Sequence, residues 1–590
     1  GEGAHPPADA CDYARFCSGL DFFALTDHAE SMTPRHWRES IESLRQCAAV
    51  AGDPRDPDLV PFAGFEWSQV GATPAEHYGH KNVIMRGLDD AELPARPIAA
   101  PGLIGQALRG PGIDRWRALQ VPVREFSQRQ RYLDLRVFQE ELAAVPACPP
   151  GVDTRQLPAG CRESAATPAE LYEKLAQWGF PAMVIPHGTT WGFYTPPGYR
   201  WDKQLAPGQR DPERQRLVEV YSGHGNSEQY RRWDEIEVGA DGVARCPAPT
   251  ADHEACCWRA GEIIRGRCGA TPAAECEARV EAARANYVAV GVAGHLTVPG
   301  ATVTDWKDCG QCRDCVAPTF NYRPGGSIQY LLARGDFADP ARPYHERMGL
   351  IASSDNHSAR PGTGYKEIER RKLTETVGAR SAHWRDFFMG APRAPRPTSE
   401  PFDRARLAKM QPWQAVELER QASFFLTGGL VAVHADGRSR EAIWDALAAR
   451  QVYGTSGERI LLWFDLIDGA SAPATMGAAV DITRPPRFRV RAAGSFVQKP
   501  GCPADVLAAV PAARLARLCQ GECYHPDDRR HRITRVEVIR IRPQARADEP
   551  VDGLIEDPWK VLPCADQGAG CEVEFDDPDA IAGGREVLYY

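Results

Sequence analysis

Short, largely apolar runs recur along the chain, and most of them end beside a histidine or an acidic residue. The runs occupy residues 20–26, 60–65, 81–85, 182–186, 217–221 and 348–352. Continuous apolar runs of this length are typical of strands that are buried on both faces, as in parallel sheets. Helical periodicity lies between some of them, over residues 31–49 and 167–180. This alternation of strands and helices predicts a parallel α/β fold.

The pattern changes after residue 457. A helical pattern over 439–450 and a glycine-rich turn over 453–457 precede four segments in which apolar and polar residues alternate. Those segments are 460–466, 487–491, 533–541 and 571–575. Alternation with a period of two indicates half-buried antiparallel strands.

These patterns predict two domains. We expect residues 1–457 to form one barrel-like domain, with insertions at about 88–165, 195–215 and 230–345 that lie outside its core. We expect residues 458–590 to form a β-sandwich-like domain packed on the first.

Composition and charge narrow the class of protein. Hydrophobic residues make up 43% of the 590 positions and charged residues 25%, which is ordinary for a globular protein with a large core. No apolar run is long enough to span a membrane. The net charge of −9 argues against binding nucleic acid through a broad basic surface, but it permits a small anionic substrate.

Eighteen cysteines indicate an oxidising compartment. We predict that most of them form disulfides, although the pairing does not follow from sequence. The alternative is a zinc or iron–sulfur knot at Cys309, Cys312 and Cys315, which lacks an obvious fourth ligand. We therefore expect a periplasmic or secreted protein. The first residues of this sequence do not have the pattern of a signal peptide, and we expect both ends to be cut from a longer chain.

Histidine and carboxylate side chains stand at the ends of several predicted strands. In parallel α/β folds, catalytic side chains lie at the carboxyl ends of the strands. Imidazoles and carboxylates together suit zinc, manganese or iron, and one carboxylate can bridge two ions. The predicted metal ligands are His28, Glu66, His80, His187, Asp355 and His357. His77 is the alternative to His80 as the ligand in this segment.

Five further residues are weaker candidates. Asp27 is expected to orient a neighbouring ligand and not to bind metal itself. Glu219 and His224 lie at another strand end, where a structural role fits them as well as ligation does. Lys81 and Arg360 are candidates to bind an anion, but both are equally compatible with exposed charges.

Several motifs resemble those of the polymerase and histidinol phosphatase (PHP) superfamily. They are Leu-Thr-Asp-His at 25–28, Gly-Phe-Glu at 64–66, Ile-Pro-His at 185–187 and Ser-Ser-Asp-Asn-His at 353–357. The chain is most similar to a PHP-like family known as domain of unknown function 3604 (DUF3604). That similarity rests on residues 79–83, 218–228, 312–326, 440–447 and 453–457.

The resemblance implies a distorted TIM-like (β/α)7 barrel that holds up to three metal ions. By motif, Glu66 and Asp355 would hold the first ion. Glu66, His80 and His187 would hold the second, and His28 and His357 the third. The superfamily also carries an initial His-x-His motif, which we expect to lie upstream of Gly1.

We therefore expect a metal-dependent hydrolase of phosphate esters. It would use metal-activated water at a site with two or three divalent ions (zinc, manganese or iron), with Glu66, Asp355 and Arg360 as catalytic residues. Its partner would be a small anionic ester and not a nucleic acid. A sulfate ester is the alternative substrate, because both groups are tetrahedral oxyanions. The other alternative is a secreted binding protein with a degenerate barrel.

Overall fold

The computed structural model describes residues 5–102, 115–306, 309–366, 381–407, 410, 414–415, 428–564 and 568–590. Its helices are α1 (Pro7–Asp12), α2 (Pro34–Ala49), α3 (Arg115–Arg124), α4 (Arg129–Ala144), α5 (Pro168–Trp178), α6 (Asp202–Leu205), α7 (Cys256–Gly266), α8 (Ala273–Val290), α9 (Val303–Trp306), α10 (Ile328–Ala333), α11 (Ala382–Met389), α12 (Arg404–Leu407), α13 (Arg440–Ala448), α14 (Ala504–Ala509) and α15 (Ala512–Leu518).

The strands of the first part of the chain are β1 (Phe22–Leu25), β2 (Val60–Gln69), β3 (Gly79–Met85), β4 (Ile98–Ala99), β5 (Glu163–Ser164), β6 (Ala182–His187), β7 (Leu217–Ser222), β8 (Gly225–Asn226), β9 (Glu237–Val238), β10 (Ala244–Arg245), β11 (Gly335–Asp336), β12 (Tyr344–His345), β13 (Gly349–Ala352), β14 (Leu430–Val433) and β15 (Val452–Thr455). Those that follow are β16 (Leu461–Ala470), β17 (Ala474–Thr475), β18 (Ile482–Ala493), β19 (Phe496–Gln498), β20 (Pro526–Arg530), β21 (Arg535–Ile541), β22 (Ile555–Pro563), β23 (Gly570–Asp576) and β24 (Leu588–Tyr589).

Strands β1, β2, β3 and β6 form one sheet in that order. β1 and β2 run parallel, whereas β3 is antiparallel to both β2 and β6. The expectation of an all-parallel sheet is therefore wrong for β3. The physical reason is the connection 70–78, which is too short for the crossover that a parallel pair requires. The reversal brings the first residues of β3 beside the carboxyl ends of β2 and β6.

The two faces of β2 pack against different layers. Phe65 and Trp67 share a buried core with α2 and α5, while Phe62 faces a second core on the other side. Because side chains alternate along a strand, Glu66 lies on the same face as Phe62. Helix α5 begins where the sequence predicts, and the side chain of Thr167 caps it. Helix α2 begins later than the predicted residue 31, at Pro34, because the side chain of Thr33 caps it there.

The second core collects residues from strands that are far apart in sequence. β7 pairs with β13 in parallel, and β14 pairs with β15 in antiparallel orientation. The apolar side chains of this core come from β1, β2, β3, β6, β7, β13, β14, β15 and α13. The architecture is thus mixed α/β, and the strands that carry the predicted ligands share one interior.

The strands after residue 457 pair only with one another in the part of the chain that the structure describes. The four segments with alternating polarity lie within β16, β18, β21 and β23, and their pairing is antiparallel, as predicted. Ile539 and Ile541 of β21 pack against Trp201 and Val218, which joins this part to the preceding one.

All eighteen cysteines form disulfides, which confirms the prediction. Cys309 pairs with Cys256, and Cys312 pairs with Cys315. The remaining pairs are Cys11 with Cys47, Cys17 with Cys519, Cys148 with Cys161, Cys246 with Cys257, Cys268 with Cys276, Cys502 with Cys523, and Cys564 with Cys571. Among the described residues, no helix has the length and apolarity needed to cross a membrane.

Candidate metal centre

Glu66 lies at the centre of the histidine cluster and divides its two carboxylate oxygens between different imidazoles. Oε1 lies 2.5 Å from His80 Nδ1 and 3.3 Å from His187 Nε2. Oε2 lies 3.3 Å from His28 Nδ1. The Glu66 side chain is buried, with 4% of its surface exposed. A carboxylate with its oxygens divided in this way can bind two metal ions, one through each oxygen.

Strand pairing places the two buried histidines beside Glu66. His80 of β3 stands opposite His187 of β6 in the antiparallel register. The His80 ring also stacks on Tyr194, with ring centroids 4.2 Å apart and planes within 5°. His80 is the second residue of β3, and only the reversed direction of this strand brings it to the edge where β6 ends.

His28 forms the second contact of Glu66. It follows β1 and makes an isolated parallel bridge with Glu66. Its Nδ1 lies 2.6 Å from Ser68 Oγ, and its Nε2 lies 3.3 Å from His357 Nε2. The Ser68 hydroxyl also donates to Glu66 Oε1. Ser68 was not identified from the sequence, although its position two residues after Glu66 in a strand places both side chains on one face.

Asp355 and His357 follow β13 and meet His224, which lies between β7 and β8. Asp355 Oδ2 lies 3.5 Å from His224 Nε2. Asp355 adopts a left-handed backbone conformation, with φ of +46°. Such a conformation costs a non-glycine residue roughly 1 kcal/mol or more, and it persists where the surroundings enforce it. His224 therefore joins the cluster, although the sequence favoured ligation no more than a structural role.

Three overlapping sets of side chains have ligand atoms within 4.8 Å of one another. The sets are His28, Glu66 and His357; Glu66, His80 and His187; and His224, Asp355 and His357. Glu66 belongs to two sets, and His357 also belongs to two. The structure thus brings all six predicted ligands into one cluster. Within the described residues, Asp355 groups with His224 and His357, and no set joins it to Glu66.

The donor set fits a divalent cation. His80 Nε2 and His187 Nδ1 are buried and make no hydrogen bond within the described residues. A buried polar atom without a partner costs roughly 1–3 kcal/mol. Histidine and carboxylate donors are those that zinc, manganese and iron bind. The positive charge of a bound cation would stabilise the negative charges of these carboxylates.

The electrostatics of the cluster favour positive charge. Burial by itself would raise the pKa of Glu66, but the neighbouring imidazoles hold this pKa well below its ordinary value. Burial would lower the pKa of His187, but Glu66, with smaller contributions from Glu219 and Asp355, raises it to about 9. Burial lowers the pKa of His80 to about 4 against the opposing effect of Glu66. The carboxylates therefore stabilise one positive charge close to His187.

Two of the weaker candidates lie around the cluster. Glu219 of β7 is buried, accepts a hydrogen bond from Ser353, and has its pKa raised to about 7 by burial. It belongs to none of the three sets. Asp27 directly precedes His28 and is exposed to solvent.

Of the two predicted anion-binding residues, Lys81 faces away from the cluster. Lys81 follows His80 in β3 and so points to the opposite face, where its Nζ donates to Gln204 Oε1 at 2.7 Å. Lys81 is fully buried there, so the expected contact with an anion at the cluster does not fit its position. The Arg360 guanidinium lowers the pKa of Tyr365, against the larger effect of burial. An anion contact of Arg360 stays a prediction.

The fold and the cluster define a mixed α/β protein whose histidine and carboxylate side chains suit metal ions. Residues 338–468 match the model of a family described as "Protein of unknown function (DUF3604)". This match supports the resemblance to that family, and it includes Asp355 and His357. No curated protein and no solved structure matches this chain significantly.

Proposed function

We propose that the chain is a metal-dependent hydrolase of phosphate esters. One observation carries the proposal: the two oxygens of Glu66 face separate imidazole groups, with His80 and His187 on one side and His28 on the other. This arrangement suits two neighbouring divalent ions of zinc, manganese or iron, and the set around His224 offers a place for a third.

Bound divalent ions would polarise an ester oxygen and lower the pKa of a water molecule. Neighbouring side chains hold the candidate ligands in position. Ser68 fixes the His28 ring through Nδ1 and leaves Nε2 directed toward His357. Such outer contacts of a metal-binding histidine typically change metal affinity by about 10–100-fold.

We further propose that the strands around the shared core form the distorted barrel of the PHP superfamily. The single core that unites β1, β2, β3, β6, β7, β13, β14 and β15 supports this arrangement. The disulfides support a periplasmic or secreted location.

Metal analysis and ester hydrolysis test the proposal together. We expect the purified chain to retain two or three equivalents of zinc, manganese or iron and to hydrolyse 4-nitrophenyl phosphate. Glu66→Gln keeps the size of the side chain but removes the bridging charge. We expect it to lower turnover by at least about 100-fold, because a bridged pair of ions contributes several kcal/mol to catalysis. Glu39→Gln, at an exposed position of α2, is the matched control.

The outcomes separate the alternatives. Hydrolysis of 4-nitrophenyl sulfate in place of the phosphate would identify a sulfate-ester hydrolase. Bound metal without turnover of either ester would identify a binding protein. Near-normal turnover by a metal-replete Glu66→Gln variant would refute the bridging role.

A further inference from the structure

An aromatic pair lies beside the candidate metal centre, in the loop that follows β6. The rings of Trp191 and Phe193 stack with centroids 5.6 Å apart and planes at 22°. The Trp191 ring lies 4.6 Å from the ring of His224 and 5.9 Å from that of His187. The Phe193 ring lies 5.7 Å from His224. Both aromatic rings therefore lie beside His224, which belongs to the set formed with Asp355 and His357.

Residues 320–326 of the central insertion hold this loop in place. The fully buried guanidinium of Arg323 donates to the carbonyl oxygens of Thr195 at 3.0 Å and Gly192 at 3.4 Å. The hydroxyl of Thr189 donates to the carbonyl of Gly326 at 2.6 Å. A loop that is fixed by buried charge-assisted hydrogen bonds presents its side chains in a defined geometry.

Gly192 shows how closely the insertion approaches the loop. A Cβ atom at this position would lie 2.1 Å from the carbonyl oxygen of Asn321, so no other residue fits without displacing the backbone. Trp191 and Phe193 stand on either side of Gly192. Their positions are therefore fixed by the close approach of the Asn321 backbone as well as by the hydrogen bonds of Arg323. The insertion forms a wall of the site through this contact.

The pair has features of a binding surface and not only of a core. Trp191 is 2% exposed, yet its Nε1–H has no hydrogen-bond partner in the described residues. Buried tryptophan N–H groups usually find a partner. Phe193 is partly exposed, so a face or edge of its ring remains open to solvent. An accessible aromatic ring beside the candidate metal centre suits a ligand with a flat apolar group.

We propose that Trp191 and Phe193 form a subsite for the organic part of the ester, which makes aromatic esters the preferred substrate class. This inference rests on the proposed hydrolase function. Phe193 contacts the aromatic group of the ester, and the buried Trp191 ring stacks on Phe193 and holds it beside His224. The subsite adjoins the His224, Asp355 and His357 set, so a substrate reaches both at once.

Calorimetric binding of non-hydrolysable phosphonates to the zinc-loaded chain tests the subsite without relying on turnover. Phenylphosphonate carries the aromatic group and methylphosphonate lacks it. We expect the chain to bind phenylphosphonate about tenfold more tightly, which corresponds to one favourable aromatic contact. We expect Phe193→Ala and Phe193→Leu to reduce this preference to less than about threefold and Phe193→Tyr to keep it. Phe337→Ala, which removes a partly exposed ring beside His345, is the matched control and should keep the full preference.

The result that overturns the subsite differs from the one that overturns the hydrolase. Equal affinity for both phosphonates in the parent chain, or an unchanged preference in Phe193→Ala, refutes the subsite and leaves the hydrolase standing. Benzenesulfonate and methanesulfonate extend the same comparison to sulfate esters. A zinc-loaded chain that binds none of the four compounds refutes both proposals.

Discussion

At the scale of single residues, the cluster depends on a few side chains whose roles are separable. Glu66 joins two sets of imidazoles, whereas His224 contacts Asp355 at the other side of the cluster. The sequence identified Glu66 from its position after a buried run. The sequence did not distinguish between a ligand role and a structural role for His224, because a histidine in a turn after a strand has either role about equally often.

We predict that His224→Ala removes about one equivalent of bound metal and leaves the fold intact. The reason is that His224 contributes to only one of the three sets, while Glu66, His80 and His187 remain. Metal analysis by mass spectrometry and the far-ultraviolet circular dichroism spectrum measure the two outcomes. His434→Ala, a histidine bonded to the carbonyl of Leu462, is the control. An unchanged metal content in His224→Ala would show that this side chain is structural.

A second residue-scale prediction concerns pH. Glu346 is buried, and burial raises its pKa to about 7. Since the folded state holds this proton more tightly than the unfolded state, the contribution of Glu346 to stability is full below about pH 4.5 and is lost as pH rises through about 7. Glu346→Gln should therefore gain stability relative to the parent between pH 5 and pH 8, by up to about 3 kcal/mol. Urea denaturation at both pH values measures the difference. A difference that is the same at pH 5 and pH 8 would contradict the assignment.

At the scale of elements, the reversed direction of β3 positions the site. β2 and β3 approach so closely at Gly64 that a Cβ atom there would lie 2.5 Å from the carbonyl oxygen of Val83. Gly64 is two residues from Glu66, on the same face of β2. The same pairing of β2 with β3 that leaves no room for a side chain at Gly64 also positions Glu66.

We predict that Gly64→Ala destabilises the protein by about 1–3 kcal/mol, as expected for an added carbon in a fully packed position. It should also weaken metal binding, because the displaced strand carries Glu66. Gly266→Ala at the end of α7 is the control, since a Cβ atom there meets no other atom within 4 Å. Thermal unfolding and metal titration are the measurements. Equal stability of the two variants would show that β2 and β3 separate without cost.

At the scale of the whole molecule, disulfides join segments that are remote in sequence. The bond between Cys17 and Cys519 spans 502 residues and links the segment before β1 to the part of the chain after residue 457. The bond between Cys564 and Cys571 spans only seven residues within the second part. A bond that closes a longer loop restricts the unfolded chain more strongly.

We predict that replacing Cys17 and Cys519 by serine lowers the free energy of unfolding by about 2–5 kcal/mol. The same change at Cys564 and Cys571 should cost less, because its loop is short. Guanidinium denaturation of the two double variants gives the comparison. A larger loss for the short loop would show that local packing outweighs the restriction of the unfolded chain.

Much of the molecule could be predicted from local patterns. Apolar runs predicted β1, β2, β3, β6, β7 and β13, periodic stretches predicted α2, α5 and α13, and period-two segments predicted β16, β18, β21 and β23. The prediction of a turn over 453–457 is wrong at its start, because Val452–Thr455 form β15 by pairing with β14. The presence of disulfides and the six candidate ligands also followed, because residue type and position at a strand end are local properties. The direction of β3 did not follow from the run itself, since a buried strand looks the same in both directions.

The sequence by itself determined which residues were available for the site and which segments form strands, because side-chain chemistry and periodicity act over a few positions. Only the tertiary structure decided that His224 meets Asp355, that Lys81 faces away from the cluster, and which cysteines pair. These are contacts between segments that are distant along the chain, and they depend on strand direction, register and packing. The aromatic pair at Trp191 and Phe193 belongs to the same category. Its position against the site is set by Arg323, more than a hundred residues further along the chain.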